Sequence, residues 1–269
     1  MTGRATSLAR DAAVLALAAV PLLCVAVANG FPLLFSDSGS YLRIGTELYF
    51  SLDRPVTYGL LILPFHRLGG LWLVVVAQAL FAAFVIGRTL RLVLERPRGP
   101  QLVATTALLA GTGLPWFAGQ VMPDLFAGLL PLVLFVLVEG AGAMRWPERL
   151  AWTALTAAMV ALHLSFLPLA AAVLAALVIA AGGRRRVRLG AALAAGGIAA
   201  ALLGLCAVNL VGAGRFRPSA MEGSFLLTRL LDAGLAQPVL DRECARDALL
   251  LCAVRPLAND PARRLPGQD

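Results

Sequence analysis

Two carboxylates and an imidazole stand where long apolar runs give way to polar residues. They are Asp37 in Phe35-Ser36-Asp37-Ser38-Gly39-Ser40-Tyr41, Asp124 after Pro123, and His163 in His163-Leu164-Ser165. Such groups take or give a proton or help hold a cation, and a proton-transfer role requires hydrogen-bond reach to one substrate. Further polar candidates for substrate binding follow Asp37, namely Tyr41, Arg54, Tyr58, His66 and Arg67, and Gln120 precedes Asp124. Each candidate also has a plain structural reading. The Ser-Gly-Ser setting of Asp37 suits a turn. Asp124 after Pro123 suits the first turn of a helix, where a carboxylate meets the positive end of the dipole. A histidine beside a helix bend serves equally in packing.

The elements that would position these residues are set by composition. Of 269 residues, 59% are hydrophobic and 14% charged, with a mean hydropathy of +0.82. Soluble domains hold roughly 45–50% apolar and ~25% charged residues. An ordinary soluble enzyme is therefore excluded, and so is a disordered chain, which needs low hydrophobicity and high charge. The net charge of +8 comes wholly from arginine on the basic side, clustered between apolar runs. That distribution marks the cytoplasmic loops of a membrane protein and implies no nucleic-acid partner. No G-x-x-x-x-G-K-[ST], H-E-x-x-H or C-x-x-C motif occurs, so nucleotide hydrolysis, zincin proteolysis and thiol redox chemistry lack support.

The apolar runs are Ala12–Phe35, Leu71–Ile86, Leu102–Phe117, Leu125–Ala143, Leu150–Ile179 and Leu189–Val211. The first is too long for a signal-peptide core and reads as a retained helix. Leu150–Ile179 carries arginines beyond both ends, so two short crossings are expected, bending across His163–Pro168 where Pro168 breaks helical hydrogen bonding. The expected fold is all-α: a polytopic integral membrane protein with about seven transmembrane helices and its N-terminus inside. Residues 1–211 form the transmembrane domain, with an outer loop at 36–70 whose stretch Leu60–Phe65 is an interfacial helix. Residues 212–269 form a small extracytoplasmic C-terminal segment in which Cys244 and Cys252 are either a disulfide or two ordinary thiols. This topology brings Asp37, Asp124 and His163 to one leaflet, where polar residues tend to be functional.

The loop Phe35–Tyr41, followed by Arg54-Pro55-Val56-Thr57-Tyr58-Gly59, resembles the first outer loop of the GT-C superfamily of membrane glycosyltransferases, of the protein mannosyltransferase and aminoarabinose transferase type. Pro123-Asp124 is similar to a second acidic position in that family, and the hairpin with His163-Leu164-Ser165 resembles its short core helices. The resemblance covers roughly Ala12 to Val211 and implies a GT-C-like core in a short or truncated member. It implies transfer of a sugar from a polyprenyl-phosphate donor to an envelope lipid, glycan or protein acceptor at the outer face of the bacterial inner (plasma) membrane. Asp37 would act as base toward the acceptor hydroxyl or help hold a divalent metal, the one cofactor the resemblance allows. Asp124 would support the acceptor or metal side, His163 would join them, and Arg54, His66 or Arg67 would face the donor phosphate, since arginine's planar fork suits it. Many members carry an Asp-Glu pair where this chain has Asp37-Ser38. The alternative is a non-catalytic polytopic protein, such as a lipid-linked sugar carrier, an assembly subunit or an inactive relative, in which the same residues are caps and solvated ends.

Overall fold

The computed structural model describes residues 2–94 and 99–244. In chain order the helices are α1 (Thr2–Ala19), α2 (Cys24–Ala28), α3 (Ser38–Glu47), α4 (Thr57–Val93), α5 (Gly99–Leu109), α6 (Leu114–Ala118), α7 (Asp124–Gly140), α8 (Trp146–Val160), α9 (Phe166–Ala180), α10 (Arg188–Ala213), α11 (Glu222–Asp232) and α12 (Gln237–Cys244). Among the described residues, strand-like pairing is confined to one bridge between Leu33 and Gln120. Apolar runs become helices because a helix pairs its own backbone polar groups where lipid offers none. Among the described residues, four stretches are long and apolar enough to cross a membrane: Ala9–Ala28, Thr57–Val93, Asp124–Ala143 and Arg185–Ala213. Of the seven expected crossings, the other three fall on shorter helices, α5 with 11 residues and α8 and α9 with 15 each. At 1.5 Å per residue these reach about 16–23 Å, against a hydrocarbon core of ~30 Å.

Several boundaries differ from expectation, each for a local reason. The first run stays helical only to Ala28, because Asn29-Gly30 turns the chain with Gly30 at φ +73°. Pro21, inside this span, tightens Val20–Leu23 into a 3₁₀ turn because it cannot donate to the helical ladder. Leu102–Phe117 divides into α5 and α6. Leu150–Ile179 does divide into two helices, but the break spans residues 161–165 and Pro168 sits in the first turn of α9, where the missing N–H costs nothing. The stretch containing Leu60–Phe65 is helical and joins the next run as α4, kinked at Gly69 and Gly70, the latter at φ +64°, a region open chiefly to glycine.

The most buried helix is α7, which packs against α4, α8, α9 and α10. Small residues set the approach of α10. A Cβ at Gly190 would strike the Leu137 carbonyl and come 2.6 Å from Val138 Cα, and one at Gly197 would lie 2.8 Å from the Thr153 carbonyl oxygen. Backbones in contact at such points gain the dispersion that holds helices together where lipid removes the hydrophobic drive. Large apolar side chains such as Leu17, Leu108, Ile179 and Val211 point outward, as a lipid-facing surface requires. The arginines expected inside collect at the end of α7 opposite Asp124: Arg184 Nη2 lies 2.6 Å from Glu139 Oε1, Arg88 pairs with Glu148, and Arg149 Nε donates to the Ala141 carbonyl at 2.8 Å.

The chain divides into two compact units, 1–220 and 221–269. The boundary falls after Ala220 rather than after Val211 because residues 212–219 are tied to the first unit. Phe50 packs its ring on Gly212, Asn209 Nδ2 donates to the Pro218 carbonyl at 3.0 Å, and Ser219 is buried. The second unit holds α11 and α12. Cys252 lies outside the described residues, and with it the candidate disulfide to Cys244.

Candidate functional site

After Gly30 the chain runs extended and is stitched to the segment before α7. Leu33 N–H donates to the Gly119 carbonyl at 2.8 Å, and Val121 N–H donates to the Leu33 carbonyl at 3.0 Å. The buried Ser38 hydroxyl accepts from Phe35 N–H at 2.9 Å and donates to the Val121 carbonyl at 2.9 Å. These bonds put Asp37, just before Ser38, beside the turn that leads into Asp124. The α3 helix then ends at Leu48, a non-glycine residue at φ +53°, a conformation costing about 1–2 kcal/mol that turns the chain back toward Asp37.

Arg54 closes the return. Its Nη1 lies 2.5 Å from Asp37 Oδ2 and its Nε 3.1 Å from Asp53 Oδ2, while the other Asp53 oxygen takes the Ser51 hydroxyl. The guanidinium also sits 5.6 Å from the Tyr41 ring centroid, a cation–π arrangement. Tyr41 meets Tyr58 edge to face at 5.0 Å. Both rings are buried at the α3–α4 crossing, where a Cβ on Gly59 would lie 2.6 Å from the Tyr41 carbonyl oxygen. The Tyr58 hydroxyl donates to Gln78 Oε1 at 2.7 Å, and Gln78 Nε2 donates to the carbonyls of Ala118 at 3.2 Å and Gln120 at 2.8 Å. One buried amide thus ties both arms of the kinked α4 to the segment before Asp124.

His163 arrives from the α8–α9 break. Its Nδ1 accepts from Ser165 N–H at 3.3 Å and lies 2.8 Å from the Ser165 hydroxyl, so the neutral ring carries its proton on Nε2. His163 is near enough to feel the charges of Asp124, Arg54 and Asp37. All three catalytic candidates therefore share one electrostatic cluster. The Arg54 hydrogen bond holds the Asp37 carboxyl below its usual range, outweighing the burial that opposes it. Burial pushes the Tyr41 phenol up to about 12 and pulls the His163 imidazole below 6.5. Arg54 is raised by the Asp37 hydrogen bond. Asp124 is exposed at the first position of α7.

Not every expected residue joins. His66 and Arg67 lie near the kink of α4, about 12 Å along the helix from Tyr58, and enter none of the hydrogen bonds or ion pairs of the Asp37 cluster. His66 keeps a buried Nδ1 without a partner among the described residues. Gln120 contributes through its backbone, which pairs with Leu33 and accepts from Gln78. Asp53 and Gln78 were not foreseen. Gln78 had a legible signal as the one amide inside Leu71–Ile86, since a polar group in an apolar crossing needs a partner.

Arg54 also borders a cavity of about 240 Å³ whose walls are mainly hydrocarbon, including Pro55, Ala157, Ala161, Ala201 and Gly204. A second cavity of about 180 Å³ lies between Gln78, Phe126 and Met159. Among the described residues, no group of three or more His, Cys, Asp or Glu side chains is placed to hold a metal ion. Ser38 spends its hydroxyl on backbone, and Asp37 and Asp53 are both paired with Arg54, so with Arg54 in place the donor set does not fit a divalent metal, which needs several oxygen ligands. Compared with protein-family models, curated proteins and solved structures, the chain matches none.

Proposed function

We propose that the chain is a membrane glycosyltransferase of GT-C-like build. It moves a sugar from a polyprenyl-phosphate donor to an envelope lipid, glycan or protein acceptor. It works at the outer face of a bacterial inner membrane, with about seven crossings, the N-terminus inside and the C-terminal segment outside. The observation that carries this reading is the convergence of Asp37, Arg54, Asp124 and His163 at one end of the bundle beside a hydrocarbon-walled cavity. The gathering of Arg88, Arg149 and Arg184 at the opposite end of α7 supports the orientation by the positive-inside rule. In this reading Asp37 takes the proton of the acceptor hydroxyl as its oxygen bonds the anomeric carbon and the donor phosphate departs. Arg54 steadies Asp37 and faces the leaving phosphate, and neutral His163 and Asp124 orient the acceptor.

A second reading has a specific observation behind it. The Arg54–Asp37 pair clamps loop 48–56 to the start of α3, a purpose that a non-catalytic carrier or assembly subunit would share. Mass spectrometry of envelope lipids and glycans separates the two, using a deletion strain complemented with wild type or with Asp37→Asn. Loss of a sugar-sized increment in the deletion, restored by wild type alone, is the expected result. Full restoration by Asp37→Asn would remove the catalytic assignment.

A further inference from the structure

We infer that Arg54 is the resident cation of this site, occupying the position between Asp37 and Asp53 that a divalent metal would need, so that no metal centre assembles around Asp37. The mechanistic consequence rests on the transferase reading, whereas the binding claim stands on geometry and charge.

The oxygens around Asp37 are already committed. Asp37 Oδ2 faces Arg54 Nη1 at 2.5 Å, and the Ser36 hydroxyl donates to Oδ1 at 3.3 Å. Asp53 gives one oxygen to Arg54 Nε and the other to Ser51. Ser38 is turned inward to Phe35 and Val121. A hard cation seeking several oxygen ligands finds two carboxylates, Asp37 and Asp53, that are both already paired with Arg54. It would also sit within a few ångströms of a fixed positive charge, a repulsion weakly screened beside a hydrocarbon cavity.

Arg54 is built to stay. Its side chain is 19% exposed, its plane is supported by Tyr41, and it cannot lose its proton at any physiological pH. Nη1 and Nε hold the two carboxylates, and the side chain borders the hydrocarbon-walled cavity. In the transferase reading this group meets the charge that grows on the departing phosphate, a task that elsewhere falls to a metal ion.

The test uses untagged full-length protein in zwitterionic nanodiscs, with Mn²⁺ as the probe. Free Mn²⁺, read by electron paramagnetic resonance, is expected to match that of empty nanodiscs, and the wild-type Tm is expected to be the same in Mn²⁺ and in EDTA. Arg54→Gln leaves Asp37 and Asp53 without their shared cation, and its Tm is expected to rise by roughly 2–4 °C once Mn²⁺ exceeds its Kd several-fold. Saturable Mn²⁺ uptake by wild type that disappears in Asp37→Asn overturns the inference. So does a folded Arg54→Gln protein that gains no Mn²⁺ affinity. Uptake that survives Asp37→Asn belongs to another part of the chain and leaves the inference standing. If Arg54→Gln does not fold, the comparison of wild type with Asp37→Asn decides. None of these readouts requires sugar transfer, so failure here and failure of the transferase reading are separable.

Discussion

Arg54 Nη1 lies 2.5 Å from Asp37 Oδ2, so the residue directly before α3 is held by a residue near the end of the loop that follows α3. The pair ties the start of α3 to the loop that leads into α4 and gives Asp37 its low proton affinity. It also sets the sign of a pH effect. A carboxyl whose folded pKa is depressed stabilises the fold above its unfolded value near 4 and loses that contribution as pH falls through the folded value. The Tm difference between wild type and Asp37→Asn is therefore expected to be flat from pH 7 to pH 5 and to shrink below about pH 4. Because the Asp37 side chain is 36% exposed, the contribution is modest, about 1 kcal/mol or less. A difference that grows on acidification would contradict the pairing.

Gln78 anchors three groups with one amide, and its loss leaves the Tyr58 hydroxyl and the carbonyls of Ala118 and Gln120 short of partners. Gln78→Leu is expected to destabilise the fold by roughly 1–3 kcal/mol. Gln78→Glu keeps the acceptor for Tyr58 but sets a carboxylate against two carbonyls, and should cost at least as much. Reversible unfolding in mixed micelles, followed by tryptophan fluorescence, gives both values. A Gln78→Leu protein as stable as wild type would refute the anchoring role.

The glycines of α10 divide into two kinds. Gly190 and Gly197 touch backbone of α7 and α8, whereas Gly196 and Gly204 have open space where a Cβ would go. Gly190→Ala and Gly197→Ala are expected to lower the Tm and the monodisperse yield on size exclusion. Gly196→Ala and Gly204→Ala should be neutral or stabilising by about 0.5–1 kcal/mol, since alanine is the better helix former. Equal behaviour of the two pairs would count against the packing of α10.

Burial lowers the His163 pKa below 6.5, outweighing the carboxylates of Asp124 and Asp37 that raise it. Only two histidines occur in the chain, so ¹⁵N-histidine NMR of a His66→Gln protein reports His163 alone. Its midpoint is expected below 6.5, with stability lost as pH falls from 6.5 toward that midpoint, because the unfolded chain takes up the proton first. In Asp124→Asn the midpoint should fall further. A midpoint above 6.5 would place His163 outside the cluster's apolar side.

Composition and the spacing of apolar runs determined the helical class, the membrane-like character of the chain and the polar points at which Asp37, Asp124 and His163 occur, because these are local properties. The same locality made the break within 150–179 legible from arginines at both ends. The path after the first helix was less legible: Asn29-Gly30 ends the helix locally, but the bridge from Leu33 to Gln120 that then holds the chain extended joins distant segments. The choice of Arg54 as the partner of Asp37, and the tie of Gln78 to Tyr58 and the 118–120 backbone, belonged to the tertiary structure alone. Such pairings depend on how closely α3, α4 and α7 approach, which glycine contacts and turn geometry set, and neither leaves a periodic mark on the sequence.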